Sequence, residues 1–169
     1  VLSRLGIAQA PPALVELGRT LINLDLIARI HELSPYEDLA AVDNTVALWR
    51  EYFQAVELRE SVGASADAGR ELRAEAVVLA WKGFAAPEGT VGLPINTTRA
   101  QRRLLDWGIL VPAYTATRIF RFRHEQVHDY LVAEDAFANR LDPQELMAAA
   151  NAHRMTGVAA WLSKLYRLA

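Results

Sequence analysis

Cysteine is absent from the chain. That excludes disulfides, thiolate metal sites and a cysteine nucleophile, and it fits a reducing, cytoplasmic compartment. Long apolar runs are absent too. None approaches the roughly 18 residues a membrane span needs, and no charged segment precedes an apolar one as in a signal peptide. No glycine-rich dinucleotide fingerprint, serine nucleophile motif or G-x-x-x-x-G-K-[ST] phosphate loop occurs. Charge of one sign is lacking overall, with a net of −2 at 22% charged residues. What is abundant is apolar side chain, 52% of 169 residues, enough for one ordinary domain or two small ones with a buried core. The chain starts and stops inside apolar patterns, VLSRLGIAQ and VAAWLSKLYRLA, as a piece of a larger protein does.

Helical spacing dominates the pattern. Pro11 and Pro12 suit a first helical turn, and Leu14, Leu17, Leu21, Leu24, Ile27 and Ile30 trace one apolar face, broken near Gly18. A short helix is predicted around Tyr36, Leu39 and Val42. The next, capped by Asp43 or Asn44, carries Val46, Trp49, Phe53, Val56 and Leu58 and stops before Gly63. A third helix, capped by Asp67, places Leu72, Ala76, Leu79, Ala80 and Phe84 on one side and is closed by Gly83, Pro87 and Gly89. VGLPI reads as a link, and Thr97 or Thr98 caps the helix that ends at Gly108. Ile109-Leu110-Val111 and Ile119 to Arg123 then read as two short strands joined by a hairpin. Helical spacing returns from His124 through Val127, Tyr130, Leu131, Phe137 and Leu141. Asp142-Pro143 starts a further helix, and a final one is expected after Gly157. The four tryptophans, 49, 81, 107 and 161, read as core or domain contacts; His31 and His153 read as incidental.

The fold class expected is mainly α: a helical domain at 1–63, a winged helix of three helices plus a β-hairpin at 64–140, and the start of a further helical region at 141–169. Within it, HEQVH matches the zinc-protease pattern. His124 and His128 on one helix face could share a metal with Glu125 as general base, but no third ligand follows at the usual spacing. The alternative is that both are partly exposed helix-start histidines without a role. A second pattern is electrostatic. Residues 94 to 124 hold Arg99, Arg102, Arg103, Arg118, Arg121 and Arg123 against Asp106, a local +5 beside −7 elsewhere. Arg99, Arg102, Arg103 and Arg118 are therefore candidates to face DNA or phosphate, with nucleic acid as a partner of a winged helix.

The run Gly108-Ile109-Leu110, then a hairpin, then Phe122-Arg123-His124, then Tyr130-Leu131-Val132-Ala133 resembles the winged helix of STAND ATPases, the NACHT and NB-ARC relatives of AAA+ proteins. Upstream, ELGRTLINLDLIARI is similar to their small helical domain, so the resemblance spans about residues 12 to 140. It implies a signalling ATPase in which the histidine of F-x-H, here His124, contacts the phosphates of ADP in a closed, autoinhibited state. ADP or ATP would be the cofactor of the whole protein, with none expected for this stretch alone. The partners implied are an upstream P-loop domain and a downstream sensor region of the same chain, with homo-oligomerisation on activation. One departure is that Thr20-Leu21 stands where the family often has an adenine-packing proline, so no base-contacting residue carries over. With no P-loop of its own, this stretch is expected to be inactive alone.

Overall fold

The computed structural model describes residues 7, 10–34, 39–63, 65, 67–86, 88–115, 117–149 and 152–169. They form a mainly helical protein with one small antiparallel sheet. The chain divides into two compact units, Val1–Gly69 and Arg70–Ala169.

In the first unit, α1 (Pro12–Leu17) opens on a proline at N1, stops at Gly18, and gives way to α2 (Leu21–Leu33). Thr20 caps α2, its hydroxyl accepting from the Asn23 amide at 3.3 Å. The break predicted near Gly18 is therefore real. A single 3-10 turn, Leu39–Ala41, follows. Tyr36, the first residue of that predicted helix, lies outside the described residues. Asn44 then caps α3 (Thr45–Gly63), accepting from the Ala47 amide at 2.9 Å. α2 packs on α3, and Leu26, Ile27, Ile30, Val46, Trp49, Phe53 and Val56 are buried. Leu58 departs from its predicted place on the apolar face and is 55% exposed. Gly63 ends α3 rather than lying past it.

The second unit runs α4 (Ala68–Ala85), β1 (Val91–Gly92), α5 (Arg99–Asp106), β2 (Leu110–Pro112), β3 (Ile119–Phe122), α6 (Glu125–Ala138), α7 (Pro143–Ala149) and α8 (Ala152–Leu168), with Ala68 and Gly69 of α4 belonging to the preceding unit. From α4 to α6 this is the predicted winged-helix order of three helices and a hairpin. One correction applies. Val91–Gly92, read as part of a link, is a third strand, and the sheet order is β1-β3-β2. Two residues are too short for strand periodicity to show in sequence.

Local chemistry explains the turns. Thr98 and Gln101 form a reciprocal capping box on α5. Gly108 adopts φ +63, a conformation that favours glycine, and the Ile109 amide donates to the Leu104 carbonyl at 3.0 Å, turning the chain from α5 into β2. Asp142 accepts from the Gln144 amide at 2.7 Å ahead of the N1 proline of α7. The predicted apolar side of α4, Leu72, Ala76, Leu79, Ala80 and Phe84, is buried throughout.

The unit is organised around α6. Val127 to Ala133 are all buried, so the middle of this helix is enclosed around its whole circumference. α8 lies along it, with Trp161 edge-on to Tyr130 at 5.3 Å and Tyr166 edge-on to Phe137 at 4.9 Å. Two glycines depart from their predicted roles, Gly83 as a stop and Gly157 as the residue before the last helix. Gly83 lies inside α4 and Gly157 inside α8. Both are explained by what they face.

Candidate functional site

His124 sits where β3 ends and α6 begins. It is the N-cap residue, with φ −120 and ψ 130, and its side chain does not cap the helix. It is not a helical position, so His124 and His128 are not two adjacent rungs of one helix face as a zinc helix requires. Among the described residues, no group of three His, Asp or Glu side chains is placed to hold a metal ion.

His128 lies one turn into α6 and differs from the partly exposed side chain considered from sequence: it is 1% exposed. Its Nδ1 is 2.8 Å from Asp129 Oδ1. A carboxylate only accepts, so Nδ1 is the donor, and in the uncharged form of the ring the lone pair is then at Nε2. Nε2 is buried and has no hydrogen-bond partner. The ring packs between Phe84, at 6.2 Å, and Phe122, at 5.8 Å.

Two helix glycines seat this pair. A Cβ on Gly83 would come within 3.3 Å of the His128 ring, tighter than ordinary contact. A Cβ on Gly157 would overlap Oδ2 of Asp129 outright. Gly in a helix interior costs about 1 kcal/mol relative to Ala. An unmet buried polar atom costs about 1–3 kcal/mol, and a buried carboxylate is retained only with good partners. The His128–Asp129 pair is thus held against both helix propensity and the preference of a core for apolar groups.

Beside it opens a pocket of about 310 Å³, lined by Glu88, Gly89, Arg121, Phe122, Arg123, Glu125 and His128. Arg121 and Arg123 are two apart on an extended run and share one side of it. Both are exposed, and neither makes an ion pair among the described residues. The Arg123 guanidinium reaches Gly108, where an added Cβ would meet it at 3.2 Å.

The remaining predicted arginines lie elsewhere. Arg99 and Arg102 are exposed on α5. Arg103 pairs with Asp106 at 3.2 Å and covers the Trp107 ring. Arg118 is held by backbone, donating to the carbonyls of Leu93 at 3.1 Å and of Pro94. The residues sequence reading missed are Asp129, Gly83 and Gly157; an isolated glycine inside a helical pattern was the available signal.

A second polar network ties α4 to α6. Arg73 pairs with Glu134, which also accepts from the Tyr130 hydroxyl, and Trp81 Nε1 donates to Asp135 at 2.8 Å. Burial, and then the Glu134 charge, push the Tyr130 phenol well above its ordinary 10.0. The unfolded chain therefore releases that proton first. Tyr130 contributes its full share of stability below about pH 10 and loses it as pH climbs further. Urea midpoints followed from about pH 8 to about pH 10.5 should fall, and Tyr130→Phe should flatten the fall. An unchanged slope in the variant would remove Tyr130 as its source.

Compared with protein-family models, curated proteins and solved structures, the chain matches none. Among the described residues, no helix is long and apolar enough to cross a membrane.

Proposed function

We propose that this chain is the helical and winged-helix regulatory region of a STAND-type signalling ATPase, acting in the cytoplasm to hold the ADP-bound, autoinhibited state. The observation that carries the reading is the position of His124 at the start of α6, directly after the wing sheet, with its side chain not spent on capping. The first-turn N–H groups of a helix favour anions, and an imidazole there adds a further donor to a phosphate oxygen. Contacts made to ADP in one state and lost in the other would bias a two-state switch. The α4–β1–α5–β2–β3–α6 order supports the same reading.

The test uses the longer protein that includes the P-loop domain. His124→Ala should speed ADP release by about tenfold or more, the effect of losing one charge-assisted hydrogen bond. Equal retention of ADP by the variant and the parent would refute the clamp. A DNA-binding reading draws on Arg99 and Arg102, exposed on α5 without ion pairs among the described residues. Duplex binding that falls steeply with salt, together with no ADP retention, would put it first.

A further inference from the structure

The pocket beside His128 is not explained by a clamp at His124, which is not among its lining residues. Its polar groups are complementary in kind to one class of small molecule. Arg121 and Arg123 present ten N–H donors between them, unmatched by any ion pair among the described residues. Such a fork suits a phosphate, which can take two guanidinia at once. The other polar side chains are acceptors. Glu88 and Glu125 are carboxylates, and Glu88 already accepts from the Tyr114 hydroxyl. His128 offers Nε2, an acceptor in the tautomer that Asp129 fixes. Acceptors gathered beside guanidinia call for hydroxyl donors attached to an anion. A volume of about 310 Å³ lies at the small end of ligand pockets, which hold from roughly 300 Å³ upward.

The buried imidazole is the observation that separates this pocket from an ordinary basic groove. Buried polar atoms in folded proteins almost always have partners, and an exception wants a reason. Here the exception sits on a pocket wall, oriented by its own carboxylate, with Gly83 against the ring and Gly157 against the Asp129 carboxylate. Nε2 is closed to water, and the ring edge abuts Gly83, where no Cβ stands in the way of a small shift. We propose that this pocket binds a small sugar or polyol phosphate. Its phosphate is held by Arg121 and Arg123, and its hydroxyls donate to Glu88, Glu125 and Nε2 of His128.

The proposal is tested on the full chain by calorimetry at constant ionic strength. The probes are ribose 5-phosphate, glycerol 3-phosphate, inorganic phosphate and ribose. Ribose 5-phosphate should bind at least about tenfold more tightly than phosphate or ribose alone, since both halves of the site contribute. The double variant R121Q/R123Q, altered only at exposed side chains, should weaken the phosphorylated probes by about tenfold or more and leave the fold intact. Glu125→Gln and His128→Asn should instead shrink the advantage of ribose 5-phosphate over phosphate without weakening phosphate itself. Because Glu125 is exposed, that arm stands even where His128→Asn weakens the fold. Two results would overturn the proposal: phosphorylated probes that bind no better than chloride, or binding indifferent to R121Q/R123Q. ADP retention by the longer protein depends on His124 and reads out the clamp separately, so either idea can fail alone.

Discussion

Gly157→Ala is expected to destabilise the Arg70–Ala169 unit by about 2–3 kcal/mol, although the same change in an open helix would stabilise it by up to about 1 kcal/mol. The reversal of sign comes from Asp129. Its carboxylate occupies the place a Cβ on Gly157 would take, and it is held there by His128. To make room, either α8 withdraws from α6, loosening the Tyr130–Trp161 contact, or Asp129 turns away and leaves the imidazole unmatched. Both routes cost more than helix propensity returns. A double-mutant cycle isolates the cause. In an Asp129→Ala background the overlap is gone, so adding Gly157→Ala should be neutral or mildly stabilising. Thermal or urea unfolding of the four proteins measures it. A stabilising Gly157→Ala in the parent chain would mean that α8 does not lie against Asp129 as described.

That glycine also marks where sequence reading stopped. Most of the fold was legible because local rules and tertiary packing agree. Thr98 capped α5, Asp142-Pro143 opened α7, and the apolar spacing of α4 became its buried face, each as the residue chemistry demands. Glycine punctuates in sequence, so Gly83 read as the end of one helix and Gly157 as the boundary before another. In the fold both are interior, because a side chain distant in sequence needs their space. Leu58 erred in the opposite direction: its spacing fitted the apolar face, yet it is half in water, since a helix face is wider in pattern than in contact. The candidate site was half legible. HEQVH pointed at the right turn, and the corner position of His124 followed from the change of period at 123. That His128 is buried and paired with its own neighbour could not be read. Adjacent residues on a helix normally diverge, and the pairing of Nδ1 with Asp129 depends on the packing of Phe84, Phe122 and α8 around them.

His128→Leu and His128→Asn should differ by more than either size or polarity alone suggests. Leucine fills much of the space left between Phe84 and Phe122 but removes the donor to Asp129, leaving a buried carboxylate, itself only 7% exposed, with no imidazole to meet it. Breaking a buried pair from one side costs about 3–5 kcal/mol. Asparagine is smaller, yet its amide N–H2 stands close to where Nδ1 stood, so the bond to Asp129 is kept while Nε2 is deleted. Its expected cost is the lost packing, about 1–2 kcal/mol, partly offset because no unmet acceptor remains. Unfolding midpoints should therefore rank parent, then Asn, then Leu. His128→Leu combined with Asp129→Leu tests the origin of the gap: with the carboxylate also removed, much of the loss should return, since two apolar groups can replace a buried hydrogen-bonded pair at little cost. If Leu alone is as stable as Asn, Asp129 is satisfied by something other than His128, and the pair is not the unit that orients the imidazole. If the ranking holds, the bond from Nδ1 to Asp129 is what fixes the imidazole, and with it the direction of Nε2, at the edge of the pocket.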